Sequence, residues 1–187
     1  NTQPDASMEN RSIPYPRGKT LGGSSSINGL LYIRGQEDDY NLWRQLGNKG
    51  WSWNDVLPYF IKSENQERGK SEHHGINGPL SVSDQRIKLD ILDSFMNAAE
   101  EVGIPKTNDF NKGNNFGCGY FQVTERNGLR CSAAVGYLNP VKKDKNLKIE
   151  THCHVQKINF ENKKAVSVTY YKGNNSFTVK ANKEIIL

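Results

Sequence analysis

Three glycines and three consecutive serines precede an Asn-Gly pair in the run Arg17-Gly18-Lys19-Thr20-Leu21-Gly22-Gly23-Ser24-Ser25-Ser26-Ile27-Asn28-Gly29. Glycine lets a backbone approach a ligand closely and adopt positive φ. Successive exposed N–H groups in such a loop form a concave donor site for an anion, most often a phosphate. Gly-Ser runs also serve as flexible linkers. Here the run leads straight into the apolar stretch Leu30-Leu31-Tyr32-Ile33, which favours a loop that holds a cofactor.

The other chemistry-bearing residues are weaker candidates. His73 and His74 are adjacent in a polar, Gly-rich loop. His152 and His154 are expected on one face of a strand, with Cys153 on the other. A zinc site needs three or four converging ligands, and no Cys-x-x-Cys pair supports either His pair, so neither a metal nor a catalytic role is assigned to them. Trp51 and Trp53 could stack on bases, but their alternation ahead of a helix reads as packing. Phe116, Tyr120 and Phe121 either line a substrate pocket or pack structurally.

These residues need a scaffold. Acids at Glu37, Asp38 and Asp39 open a helix that carries Tyr40, Trp43 and Leu46 and ends at Gly47. Asn54 is expected to cap a second helix with Val56, Leu57, Phe60 and Ile61 as its apolar stripe. Residues 65–78 read as a polar loop and Pro79 to Ser83 as a short strand. Lys88 to Val102 is the clearest helix: Leu89, Leu92, Phe95, Met96, Ala99 and Val102 share one face, and Gly103 follows. Leu30 to Ile33 is too short to tell strand from helix. Tyr120 to Thr124 alternates like a strand, Asn127-Gly128 is a turn, and Ser132 caps a short helix stopped by Pro140. From Leu147 onward the pattern is β, with strands at 147–151, 155–161, 165–171, 177–180 and 184–187. The chain is therefore α+β, helical first and a β-meander last.

Composition bounds the function. The 187 residues carry 25 basic and 20 acidic side chains, net +5. Lys142, Lys143, Lys145, Lys148, Lys163 and Lys164 fall on turns and strand edges, where lysine blunts edge pairing. No face interleaves arginines with aromatics as nucleic-acid binding requires. The apolar fraction of 35% lies below the roughly 45–50% of typical globular chains (a count that includes Gly), and the mean hydropathy of −0.76 is polar for a self-contained enzyme. A thin core that leans on further polypeptide is expected. Cys118, Cys131 and Cys153 have no framework spacing, which suggests reduced thiols and a cytoplasmic setting, free or peripheral to a membrane. No segment approaches the roughly 20 apolar residues of a membrane span, and no signal peptide is visible. The first residue is not Met, and the chain closes on the mainly apolar run Glu184-Ile185-Ile186-Leu187, so both ends read as the interior of a longer protein.

The pattern G-K-x-L-G-G-S-S-x-I-N-x-x-x-Y-x-x-G, from Gly18 to Gly35, resembles the first signature of the glucose-methanol-choline (GMC) family of flavin oxidoreductases. The resemblance continues through Tyr32-Ile33-Arg34-Gly35, Asp39-Tyr40, Trp43, Gly50-Trp51-Ser52-Trp53 and Val56-Leu57-Pro58-Tyr59-Phe60. It extends to Gly78-Pro79-Leu80, Asn127-Gly128-x-Arg130-x-Ser132, Tyr137-Leu138 and the terminal Glu184–Leu187, covering about residues 14 to 187. It implies a flavin-covering loop and helices over 1–60, part of an antiparallel substrate-domain sheet over 61–140, and a β-meander returning to the FAD domain over 141–187. It implies that Gly22, Gly23 and Ser24 lie against the FAD pyrophosphate, that Asn28, Gly29, Leu30 and Leu31 lie beside the isoalloxazine ring, and that Val155 brackets the adenine. On residue type alone, Asn28 could simply be a turn residue paired with Gly29, and Val155 an ordinary strand residue. Relatives that attach FAD through a loop histidine match Ile27 here, so non-covalent FAD is expected.

The implied activity is oxidation of a primary alcohol, choline-like or another small alcohol, to an aldehyde, with electrons passing to a quinone or similar acceptor. The dinucleotide motif G-x-G-x-x-G is missing, since Gly117-Cys118-Gly119 runs on to Phe121-Gln122. The family's catalytic histidine is expected beyond Leu187. The rival reading is a non-catalytic homologue or binding domain without flavin.

Overall fold

The computed structural model describes all residues from Asn1 to Leu187. The chain divides into two compact units, Asn1–Val141 and Lys142–Leu187.

In the first unit, helix α1 (Glu37–Gln45) is capped through Gln36, whose N–H donates to Asp39 Oδ2 at 2.7 Å. Gly47, with φ +102, turns the chain away after it. Helix α2 (Trp53–Ser63) starts two residues earlier than Asn54 would allow as its cap. The cap is Ser52: its N–H and hydroxyl both donate to Asp55, at 3.0 and 2.5 Å. The Ser-x-x-Asp box satisfies the start of the helix better than Asn54 could. Between α1 and α2 stand Tyr40, Trp43, Trp51, Trp53 and Phe60, with neighbouring ring centroids 5.5 to 6.3 Å apart. The paired tryptophans pack as expected.

The expected loop at 65–78 contains the end of a strand. β1 (Glu64–Gln66) pairs in parallel with β2 (Leu80–Val82). Its Glu-Asn-Gln sequence hides it from any apolar pattern, because its side chains are buried by hydrogen bonding rather than by hydrophobic contact. Helix α3 (Asp90–Glu101) is shorter at both ends than 88–102. It is held mainly through Ala99 and Met96, while Leu92 and Phe95 on the same stripe stay exposed.

Leu30 to Ile33 is neither helix nor sheet strand. It runs extended beside residues 122–124, with single bridges joining Leu31 and Ser83 to Val123. Tyr120 to Thr124 likewise forms only these bridges. The ladder then tightens into a hairpin, β3 (Glu125–Arg126) with β4 (Leu129–Arg130), across Asn127-Gly128. Ser132 Oγ accepts from Val135 N–H at 3.3 Å at the start of a widened turn, Ala134–Leu138. Pro140 does not stop this segment; it lies inside the following turn α4 (Asn139–Val141). A widened turn leaves an N–H unused, and proline, which has none to give, follows it without loss. Trp53, Val82, Ala99, Val123 and Cys131 are the buried apolar residues, and they are outnumbered by buried polar ones.

The second unit is the antiparallel meander β5 (Cys153–Glu161), β6 (Lys164–Lys172) and β7 (Asn175–Lys180). Asn162 and Lys163 both have positive φ (48° and 66°), as a two-residue hairpin turn requires. The expected strands at 147–151 and 184–187 do not form. His152 (φ +57) bends the chain before β5, so it lies outside the strand and shares no face with His154. After β7 the ladder ends with Ala181 N–H donating to Val166. Apolar alternation without a partner strand does not make a strand.

Candidate functional site

The Gly-Ser run folds as a tight turn, not as a linker. Gly22 and Gly23 take φ +88 and +55 and lead into a single 3₁₀ turn over Gly23–Ser26. A Cβ on Gly22 would collide with Ser26 Oγ and stand 3.2 Å from Ala134, whereas one on Gly23 or Gly29 would meet open space. The N–H groups of Gly22 and Gly29 make no hydrogen bond within the chain. Leu30 has φ +68, a conformation that is costly for a bulky residue and concentrates at functional sites. It is held there from both sides: its N–H donates to Asn28 Oδ1 at 3.1 Å, and its carbonyl accepts from Thr124 N–H at 2.9 Å and Thr124 Oγ1 at 3.2 Å. Ile27 and Leu31 are 53% and 54% exposed. The loop thus presents open backbone donors beside two apolar side chains, a surface suited to a phosphate joined to a flat apolar ring.

The segment 124–133 braces this loop. Arg130 Nη1 donates to Ser25 O at 3.1 Å and to Asn28 Oδ1 at 2.7 Å. Ala133 N–H donates to Ser25 Oγ at 2.9 Å, and that hydroxyl donates to Gly22 O at 2.5 Å. The expected site residues Gly22, Gly23, Ser24, Asn28, Gly29, Leu30 and Leu31 therefore share one braced loop of the first unit. Val155 lies in β5 of the second unit, half-exposed and paired with Tyr170, where the register slips before Lys157.

Beyond the loop the chain plunges into a buried polar network that residue pattern alone does not reveal. Arg34 N–H donates to Asn111 Oδ1 at 2.8 Å, and Asn111 Nδ2 donates back to Tyr32 O at 3.2 Å. The Arg34 guanidinium pairs with Glu64 at 2.9 Å and donates to His73 O at 2.6 Å. Glu64 is fully buried and also meets His74 Nδ1 at 2.9 Å and Gly75 N–H at 3.1 Å. His74 Nε2 stands 2.9 Å from Asp109. The hydrogen bonds from Asp109 and then Glu64 lift His74 to about 9, outweighing its burial. Burial opposes ionisation of Asp109, but its bond to His74 and the Asn111 N–H hold the carboxyl below its ordinary value. Burial also pushes the Tyr32 hydroxyl up. Every charge here has a partner, so the cluster fixes Tyr32 and Arg34 rather than offering a reactive group. Among His, Cys, Asp and Glu side chains, no group is arranged to hold a metal ion.

Phe121 stacks on Phe110 with centroids 4.7 Å apart, and with Tyr120 it lines a cleft that also carries Arg68, Lys88, Lys106 and Lys112. Phe116 lies outside that cleft. No helix is long and apolar enough to cross a membrane.

Residues 5–187 match the family described as GMC oxidoreductase, and the chain belongs to it. It is 40% identical over 186 residues to an oxygen-dependent choline dehydrogenase of Sinorhizobium fredii, covering 100% of this chain and 34% of that protein. It is 43% identical over 174 residues to an alcohol dehydrogenase [acceptor] of Pseudomonas putida, covering 92% and 32%. Among solved structures it is similar to an FAD-dependent oxidoreductase from Chaetomium thermophilum (TM-score 0.87, 32% identity, 97% of this chain and 34% of that one). Pyridoxine 4-oxidase from Mesorbium loti is also similar (TM-score 0.88, 28% identity, 97% and 36%). The chain spans about a third of the length of the curated relatives it matches.

Proposed function

We propose that the polypeptide containing this segment oxidises a primary alcohol, choline-like or another small alcohol, to an aldehyde, using non-covalently bound FAD. The observation that carries this is the braced loop at Gly22–Leu31. Its backbone donors, apolar flank and strained Leu30 fit a dinucleotide with a flat ring, and its relatives include proteins named choline dehydrogenase and alcohol dehydrogenase [acceptor]. When bound, FAD accepts a hydride from the alcohol carbon.

In this reading the segment binds and orients. Gly22, Gly23 and Ser24 lay their backbone against the pyrophosphate, with the unpaired Gly22 N–H as a donor. Asn28, Gly29, Leu30 and Leu31 cover the ring and exclude water from it. Val155 contributes backbone polar groups to the adenine. Ile27 offers no nucleophile for a covalent link, which supports reversible attachment. The Tyr120–Phe121 cleft carries Arg68, Lys88, Lys106 and Lys112 against the single acid Asp84, already paired with Arg68, so no choline subsite is assigned there. Residues 1–60 and 141–187 are assigned to the cofactor side and 61–140 to the substrate side. The electron acceptor is a quinone or similar molecule, and the unpaired cysteines support a cytoplasmic setting.

The test is to purify the full-length polypeptide and record its visible spectrum before and after acid precipitation. The expected result is a flavin band that moves to the supernatant with the acid and that choline or a small primary alcohol bleaches anaerobically. A folded, colourless protein that takes up no added FAD would establish the non-catalytic reading instead.

A further inference from the structure

Two hydrogen-bond donors converge on one atom of Asn28. Leu30 N–H and Arg130 Nη1 both point at Oδ1, at 3.1 and 2.7 Å. A backbone N–H and a guanidinium can only donate, so the atom they share must be the amide oxygen. That settles the amide orientation by chemistry rather than by shape. The NH₂ group is left with no partner in the chain and projects from an exposed residue of the loop.

Arg130 is well placed to hold this arrangement. The same Nη1 also donates to Ser25 O at 3.1 Å, so one guanidinium nitrogen clips the turn and the amide together. Both bonds end on uncharged oxygens, and Arg130 takes part in no ion pair that could draw it elsewhere. Its position is fixed by the β3–β4 hairpin, in which Arg130 pairs with Glu125.

We propose that Arg130 is a positioning residue that locks the Asn28 amide with its oxygen inward and its NH₂ presented as a hydrogen-bond donor to the flavin ring. The proposal rests on the reading of the Gly22–Leu31 loop as the flavin cover. In this arrangement Asn28 serves an acceptor atom of the ring and cannot serve a ring N–H. Without Arg130 the amide keeps only the 3.1 Å bond from Leu30 N–H, and its donor is aimed less firmly.

The experiment uses the full-length flavoprotein with Arg130→Gln, Arg130→Lys, Asn28→Ala, Asn28→Asp and the double variant Arg130→Gln/Asn28→Ala. FAD affinity is measured by flavin fluorescence, and band shape by visible absorbance. Asn28→Asp keeps oxygens for Arg130 and Leu30, so the brace survives, but it removes the NH₂ donor. Losing one such bond weakens FAD binding about tenfold. Asn28→Ala, Asn28→Asp and Arg130→Gln are each expected to show that loss with a common shift of the flavin band. Arg130→Lys, which retains a donor, is expected to recover most of the affinity and the native band. The double variant is expected to be no weaker than Asn28→Ala alone. Additive losses, or a native band and affinity in Arg130→Gln, would overturn the positioning role. Should Arg130→Gln not fold, native affinity and band in Asn28→Asp would overturn the donor assignment by itself. A wild-type polypeptide that binds no FAD refutes the loop reading and this proposal together; flavin-loaded wild type with unaltered variants refutes this proposal alone.

Discussion

Raising the pH should destabilise the first unit through one side chain, His74. The ring is 6% exposed and lies between Glu64 and Asp109, each at 2.9 Å. Its pKa in the fold is about 9, against 6.5 for the free side chain. A folded-state pKa above the unfolded value means that the protonated ring stabilises the fold. That contribution is complete below about pH 6.5 and fades as pH rises through about 9. A pKa difference of one between the folded and unfolded chain is worth about 1.4 kcal/mol, so going from about pH 6 to about pH 9 should remove roughly 3 kcal/mol. All three tryptophans (Trp43, Trp51 and Trp53) lie in this unit, so their fluorescence reports its urea unfolding directly. The comparison is with His74→Gln, which cannot titrate; groups common to both proteins cancel in the difference. The wild type should lose its advantage over the variant steadily across this window. Parallel stability curves, or a wild type that gains on the variant as pH rises, would refute the reasoning.

Three further outcomes follow from the same geometry. Gly22→Ala should destabilise by about 1–3 kcal/mol in urea unfolding, because it combines positive φ with a collision against Ser26 and Ala134, whereas Gly23→Ala should cost about 1 kcal/mol for φ alone; equal losses would disprove the packing argument. Glu64→Ala should cost about 3–5 kcal/mol by stranding the Arg34 guanidinium and half of the His74 clamp in the interior, read as a fall in urea midpoint. In native protein, a thiol reagent should modify Cys118 and Cys153 but reach the 1%-exposed Cys131, whose thiol lies 3.7 Å from Pro79 O, only after denaturant is added; rapid labelling of all three would show that this contact opens.

The parts legible in the sequence were those written in local chemistry. The acids before Tyr40, Gly47 and Gly103 at helix ends, and the Asn127-Gly128 turn, each specify their own geometry within a few residues. The Gly22–Leu31 loop was legible as a donor loop for the same reason. What stayed hidden depends on partners far along the chain. Nothing in Glu64-Asn65-Gln66 indicates a strand, because its pairing with Leu80–Val82 and its contacts with Arg34, His74 and Gln122 exist only after folding. His74 looked like a loop histidine until Asp109 was brought to it. The terminal apolar runs at 147–151 and 184–187 have the alternation of strands but no neighbouring edge. Arg130 stands in a recognisable motif, yet Ser25 and Asn28, on which it acts, lie 105 and 102 residues away and meet it only in the fold.

The brace on the Gly22–Leu31 loop spans 105 residues of sequence, from Ser25 to Arg130. Local elements such as α1 and the Asn127-Gly128 hairpin are built from near neighbours in sequence, but this clasp must wait for the ends of a long intervening chain to meet. Loop closure over such a distance carries an entropic cost that grows slowly with length and slows non-local contacts most. During synthesis, the Gly-Ser turn emerges long before the arginine that completes it, so the braced turn exists only after Arg130 and its hairpin have left the ribosome.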